Sequence, residues 1–98
     1  MKKRIKIAEL PEFDPTQYLG NDKVLAAYLT DILEADDPGL LASALGDIAR
    51  ARGMSEIAKS AGITREALYK ALRPGSAPRL DTVKKVCAAL GLRLIVQA

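Results

Sequence analysis

The sequence predicts an all-α domain of five helices that ends in a short strand. Of the 98 residues, 49% are hydrophobic and only 4% are aromatic, a composition that suits aliphatic helices packed around one core. Apolar residues recur at helical spacing in five segments, which are separated by proline, glycine and aspartate. The last seven residues, LRLIVQA, are apolar and partly β-branched, as is typical of a strand.

The segment before the first helix is predicted to be extended. Ile5 and Ile7 alternate with basic neighbours, which indicates a brief strand or an extended arm. Pro11 and Pro15 bracket Phe13 and should delay the start of a helix.

The first helix should begin at a cap formed by Asn21 or Asp22 and run to about Glu34. Its spacing is strongly amphipathic. The residues predicted to face inward are Val24, Leu25, Tyr28, Leu29, Ile32 and Leu33.

The second helix should begin at Asp37 and Pro38, which suit an N-cap and a first-turn proline, and end at Gly53. Its predicted inward residues are Leu41, Ala44, Leu45, Ile48 and Ala49.

The third and fourth helices are predicted within Met54–Leu72, where the spacing is typical of two short helices joined by a tight turn. Gly62 lies where the turn needs a positive φ angle, and Thr64 can cap the second helix of the pair. The inward residues are expected to be Ile57, Ala58, Ala61, Ile63, Leu68, Ala71 and Leu72. This layout is that of a helix-turn-helix, whose second helix lies in the DNA major groove. An ordinary helical corner with no role in DNA binding is the alternative.

The outward side chains of the fourth helix, Arg65, Glu66, Tyr69 and Lys70, are candidates for reading bases. Arg65 could bind guanine O6 and N7, while Glu66 could accept from cytosine N4 or merely orient Arg65. Tyr69 could stack against a sugar or a thymine methyl group, or be a partly buried core residue.

Polar residues at the helix starts and in the following loop are candidates for contacting phosphates. They are Ser55, Lys59, Thr64, Arg73 and Arg79. For the basic ones, the alternative is a solubilising surface role.

The fifth helix is predicted over Leu80–Leu90, with Val83, Val86, Cys87 and Leu90 inward and Gly91 as its C-cap. In the strand that follows, Leu92, Leu94 and Val96 share one side. This strand needs a partner for its backbone, either the N-terminal strand or the same strand of a second copy. We favour the second copy, and hence a homodimer, because symmetric DNA sites need a two-fold protein.

The charge is divided unevenly along the chain, which suggests two regions of a single compact domain. Residues 1–36 carry five basic and seven acidic side chains, whereas residues 37–98 carry ten basic and five acidic ones. The basic part suits the DNA backbone, and the acidic part suits a basic protein partner or is simply solvated.

Several classes of protein are disfavoured by composition. No run of eighteen apolar residues could span a membrane, and the basic start lacks the apolar core of a secretory signal. The single cysteine indicates a reducing cytoplasm. The chain has no histidine and no glycine-rich phosphate loop, so we expect neither an enzyme nor a metal or other cofactor.

Four stretches carry a resemblance to a known family: FDPTQYL, DPGLLASALGDIARARGMSEIAK, REALYKAL and the end PRLDTVKKV…ALGLRL. With them, the chain resembles Xre-type helix-turn-helix proteins, and more narrowly the HigA-like addiction-module antidote proteins. The resemblance covers about Phe13 to Leu94 and implies a five-helix Xre/lambda-repressor-like fold. Arg79 departs from the pattern, because a serine-type cap is commoner before the last helix.

The resemblance implies the antitoxin of a type II toxin–antitoxin module. Such a protein binds a small basic RelE/HigB-like toxin, usually a ribonuclease that cuts mRNA, and represses its own operon at an inverted repeat. Residues 1–36 would then contact the toxin, with Glu12, Phe13, Asp14 and Tyr18 as candidates, and residues 37–98 would contact DNA. A standalone helix-turn-helix regulator without a toxin is the alternative.

Overall fold

The computed structural model describes residues 14–98, which form five α-helices and one short 3₁₀ helix. The 3₁₀ helix spans Pro15–Tyr18. The α-helices are α1 (Asp22–Glu34), α2 (Pro38–Arg52), α3 (Met54–Ala61), α4 (Arg65–Ala71) and α5 (Leu80–Ala89). The all-helical prediction is therefore confirmed for the described residues.

The first two α-helices begin at the predicted side-chain caps. Asn21 Oδ1 accepts from the Val24 amide at 3.2 Å, which starts α1. Asp37 Oδ1 accepts from the Leu40 amide at 3.1 Å at the start of α2, where Pro38 takes the first helical position. A cap of this kind satisfies an amide that the helix itself leaves unpaired.

Gly53 ends α2 and begins α3 without any intervening loop. Its amide donates to the Ala49 carbonyl at 2.8 Å, and its own carbonyl accepts from the Ile57 amide at 3.0 Å. Its φ of 120° is one that side-chain-bearing residues rarely adopt. The two helices are therefore joined rigidly at one residue.

One hydrophobic core joins all five helices. Its most buried large side chains are Leu25, Ile32, Leu45, Ile48, Leu68, Leu72 and Val86. Cys87 lies in this core, where burial raises the pKa of its thiol and so keeps it protonated and unreactive.

Two positions on α1 differ from the amphipathic prediction. The periodicity predicts that Leu33 faces inward, but Leu33 is 42% exposed because it lies near the end of α1, at the edge of the core. Asp31, which the periodicity places among polar residues, is only 3% exposed. One of the seven acidic groups in residues 1–36 is therefore withdrawn from the surface.

The proline-containing segment is more ordered than the sequence predicts. Pro15 starts the 3₁₀ helix, because a fixed φ near −65° suits the first position of a helical turn. Asp14 caps it, accepting from the Thr16 amide at 3.0 Å and from the Thr16 hydroxyl at 2.7 Å. The arm or strand predicted at Ile5 and Ile7 lies outside the described residues.

The C-terminal end of α5 closes as a Schellman turn. Gly91 has a φ of 81°; its amide donates to the Ala88 carbonyl at 3.0 Å, and the Leu92 amide donates to the Cys87 carbonyl at 2.8 Å. Leu92, one of the three residues predicted to share the pairing side of the strand, thereby packs against the core of its own chain.

The predicted C-terminal strand is not present in this single chain. Residues 92–98 form no regular secondary structure, and residues 14–98 as a whole contain no strand. A strand needs a neighbour to complete its backbone hydrogen bonds, and the described part of one chain offers none at this position. Within the same residues, no helix is both long and apolar enough to cross a membrane.

Candidate nucleic-acid interface

The turn between α3 and α4 has the geometry that the sequence predicts. Gly62 adopts a left-handed φ of 73°, and its amide donates to the Lys59 carbonyl at 3.2 Å. The next amide, of Ile63, donates to the Ala58 carbonyl at 3.0 Å, which completes a Schellman motif. Thr64 then caps α4 by accepting from the Ala67 amide at 3.0 Å. These bonds fix where α4 begins relative to α3.

Substituting Gly62 by alanine should destabilise the fold by about 1–2 kcal/mol, because the new Cβ penalises a left-handed φ even where space is free. No atom lies within 4 Å of that Cβ position, so strain in the backbone is the only cost. Gly20→Ala is a matched control, since Gly20 has equally open surroundings and no positive φ. Thermal unfolding followed by circular dichroism measures both. Equal stability of the two variants would contradict the role of Gly62.

The two sides of α4 differ sharply. Leu68 is fully buried, and Leu72, which ends the helix, is buried as well. The four candidate base-reading residues, Arg65, Glu66, Tyr69 and Lys70, are all exposed. Tyr69 is 41% exposed, which favours a surface role over the alternative of a core residue.

Arg65 is held by hydroxyl groups from two helices. Its Nη1 donates to Ser55 Oγ on α3 at 3.2 Å, and its Nη2 donates to Tyr69 Oη one turn along α4, also at 3.2 Å. The guanidinium carbon lies 5.4 Å from the centre of the Tyr69 ring, within the range of a cation–π contact. The hydrogen bond to Tyr69 raises the pKa of Arg65, and the charge of Glu66 adds to this.

An open groove runs along the other edge of α4. It is lined by Arg50, Glu66, Tyr69, Lys70, Arg73 and Pro74. Arg50 is not among the residues that the sequence predicts for this site. It lies in the last turn of α2 and is bound to Asp47 at 2.8 Å. Arg50 lies in this groove because α2 approaches the end of α4. A local sequence pattern cannot predict such a contact between distant residues.

The remaining phosphate candidates are more dispersed. Lys59 and Arg79 are exposed but lie outside the lining of this groove. Arg79 stands at the start of α5, makes no side-chain cap there, and lies 3.5 Å from Asp81. The structure therefore places Ser55 beside Arg65, and places Arg73 in the same groove as Lys70.

The candidates for contacting a protein partner are only partly described. Glu12 and Phe13 lie outside the described residues. Asp14 is half-buried and is engaged as the cap of the 3₁₀ helix, whereas Tyr18 is exposed. Towards the C-terminus, Leu94 is 37% exposed and Val96 is 99% exposed.

The described residues thus define a small all-helical protein that presents a polar helix face at its surface. By comparison with known families, the chain belongs to the family described as probable addiction module antidote protein, whose model matches residues 9–98. A protein of Haemophilus influenzae described as uncharacterized is 49% identical over 89 residues, which cover 91% of this chain and 92% of its own length. No solved structure matches the chain.

Proposed function

We propose that this protein is the antitoxin of a type II toxin–antitoxin module, of the HigA-like, Xre-type kind, and that it also represses its own operon. The supporting observation is that a chain of the antidote family exposes all four candidate base-reading side chains of α4 while burying the opposite side of that helix. A protein that only covered a toxin would not need this second surface. Antitoxin and repressor functions in one chain would account for both the antidote family and the exposed side of α4.

In this proposal α3 and α4 form a helix-turn-helix, with α4 in the major groove of operator DNA. Arg65, Glu66, Tyr69 and Lys70 face the base edges. Lys59, Thr64, Arg73 and Arg79 lie near phosphates, and Arg50 joins them through its place in the groove beside α4. Ser55, the fifth candidate from the sequence, accepts a hydrogen bond from Arg65. Phosphate contacts position the protein, and base contacts select the sequence.

The proposed toxin surface lies in residues 1–36, and the DNA surface in residues 37–98. A ribonuclease that binds RNA needs a basic groove, and an acidic surface is complementary to it. Asp22, Glu34 and Asp36 are exposed acidic residues of this part, whereas Asp31 is buried. We propose a RelE/HigB-like ribonuclease as the toxin.

A second copy of the chain is proposed to bind at the C-terminal segment. Beside residues 94–96, an apolar groove is lined mainly by Leu33, Leu41, Pro78, Leu80, Val83, Leu94, Ile95 and Val96. Leu80 and Ile95 are about two-thirds exposed, and such a contiguous apolar surface commonly marks an interface. Two-fold pairing here would present two copies of α4 to the half-sites of an inverted repeat.

Co-expression tests the proposed function directly. Any small reading frame that adjoins this gene is expressed in a bacterial host with and without the full-length protein. Arrested growth that the full-length protein relieves, together with co-purification of the two chains, would support the antitoxin role. If the neighbouring product is harmless and this protein still binds its own upstream DNA, the standalone regulator is the correct function.

Neutralising the acidic surface of residues 1–36 should lower the affinity for the toxin about tenfold or more, because complementary charge accelerates association. The variant combines Glu12→Gln, Glu34→Gln and Asp36→Asn, and asparagine tolerates the left-handed φ of 56° at position 36. Asp14 is left unchanged because it caps the 3₁₀ helix. Surface plasmon resonance at two ionic strengths gives the association rates.

The control for this experiment is Glu56→Gln with Asp81→Asn, which removes acidic charge from the proposed DNA-binding part. It should leave toxin affinity unchanged and raise affinity for DNA. If the control weakens toxin binding as much as the acidic-surface variant does, the two surfaces are not separate.

A further inference from the structure

Three side chains on α3 and α4 form a connected polar cluster at the surface. Ser55 and Tyr69 each bind one terminal nitrogen of Arg65, and both bonds measure 3.2 Å. Ser55 lies ten residues before Arg65 and on another helix, so this cluster bridges the two helices of the proposed DNA-binding unit. An exposed arginine normally samples many rotamers, and two hydrogen bonds from fixed helices restrict it.

We propose that Ser55 and Tyr69 are positioning residues that hold Arg65 to recognise guanine in the major groove. This inference rests on the proposed function and deepens it by naming the two residues that set the specificity of Arg65 for guanine. Ser55 is thereby assigned to orienting a base-reading side chain, in place of the phosphate contact that the sequence suggests.

The donor count of the guanidinium allows this arrangement. Arginine has five N–H groups. One on Nη1 is used by Ser55 and one on Nη2 is used by Tyr69, so each terminal nitrogen keeps a second N–H. Two parallel donors are what guanine requires, since its O6 and N7 atoms are both acceptors on the major-groove edge. Of the four bases, only guanine presents two acceptors side by side there.

The position of Arg65 also fits this role. It is the first residue of α4, and the N-terminal residues of a recognition helix are those that contact base edges. The Gly62 turn and the Thr64 cap fix the backbone at this point. Holding the side chain in advance lowers the entropy lost on binding, which strengthens discrimination between the correct and the wrong base.

Glu66 differs from Ser55 and Tyr69 in how it acts on Arg65. Its charge only adds to the rise in the pKa of Arg65 that the hydrogen bond to Tyr69 mainly causes, whereas the two hydroxyl groups form the hydrogen bonds that orient the guanidinium. The sequence leaves two roles open for Glu66, and this proposal assigns the orienting role to Ser55 and Tyr69. Glu66 remains available for a base of its own.

Selection of bound duplexes from a library with about twenty random base pairs tests the proposal with the full-length protein. Wild type should select sites that contain a guanine whose replacement by adenine weakens binding about 5- to 150-fold, the range for one bidentate pair. In Arg65→Ala, the ratio of the affinities for the guanine and adenine sites should fall to about one. Ser55→Ala and Tyr69→Phe should each reduce it several-fold at the same base pair while leaving melting temperatures unchanged.

A double variant separates positioning from direct contact. If Tyr69 acts through Arg65, adding Tyr69→Phe to Arg65→Ala should change the guanine preference no further. Lys59→Ala is the control on α3, and it should weaken binding to all sequences alike. The inference is overturned if Tyr69→Phe and Ser55→Ala keep the wild-type ratio, or if Arg65→Ala weakens every sequence equally.

Failure of the proposed function gives a different result in the same experiment. In that case wild type binds no duplex in the library, or binds all of them without preference at any salt concentration. If wild type selects a defined site in which Arg65 shows no link to guanine, the proposed function stands and only this inference fails.

Discussion

Replacing Leu68 by alanine should lower the free energy of unfolding by about 2–5 kcal/mol, the range for a leucine removed from a packed core. Leu68 is 0% exposed and is the only residue within α4 that is buried. Since α4 is only seven residues long, it has little stability of its own and depends on this side chain. Urea unfolding followed by circular dichroism measures the change.

Arg65→Ala is the matched control, because it truncates a side chain on the exposed side of the same helix. Its effect should stay below about 1 kcal/mol, because the two hydrogen bonds that it removes lie at the exposed surface. The same variant should lose sequence-specific DNA binding, so stability and binding separate. A similar loss of stability in both variants would mean that Leu68 and Arg65 do not lie on the buried and exposed sides of α4, respectively.

Affinity for operator DNA should fall about 10⁴-fold when the salt concentration rises from about 50 to 200 mM. The basic candidates for binding phosphate are Lys59, Arg73 and Arg79, with Arg50 from the groove beside α4, so each chain has four and a dimer has about eight. Each neutralised phosphate releases counterions and adds about −0.9 to the slope of log affinity against log salt, which gives a slope of about −7. Gel-shift titrations of the upstream DNA at a series of salt concentrations measure it.

Arg73→Ala should make this slope shallower by about 1 for each phosphate that Arg73 neutralises, with little change in sequence preference. Arg73 is chosen because it lines the groove beside α4 together with Lys70. Lys23→Ala is a control, since Lys23 is an exposed basic residue of α1 and lies outside the proposed DNA-binding part. A slope near zero for wild type would contradict DNA binding through the backbone.

Local chemistry explains why the helix boundaries could be predicted from the sequence. Asn21, Asp37 and Thr64 cap helices because a short polar side chain can reach an unpaired amide two or three residues ahead. Gly62 marks a turn because its backbone conformation is costly for other residues. Each of these signals is contained within a few residues of the chain.

What could not be predicted depends on residues distant in the sequence. Leu33 follows the apolar period of α1, but whether it is covered depends on how far the other helices extend. The proximity of Arg50 to α4 arises from the way α2 approaches that helix. The bonds from Ser55 and Tyr69 to Arg65 likewise depend on the relative placement of α3 and α4. The C-terminal segment has a strand-like pattern, yet a strand also requires a partner.

Gly53 is both the C-cap of α2 and the N-cap of α3, so it constrains where genes of this family can gain or lose residues. An inserted residue would rotate α3 by about 100° relative to α2, since a helical turn takes about 3.6 residues. That rotation would turn the buried side of α3 away from the core, so evolution should tolerate no insertion there. The loop from Arg73 to Arg79 has no such shared cap, and length changes among homologous genes should accumulate in it.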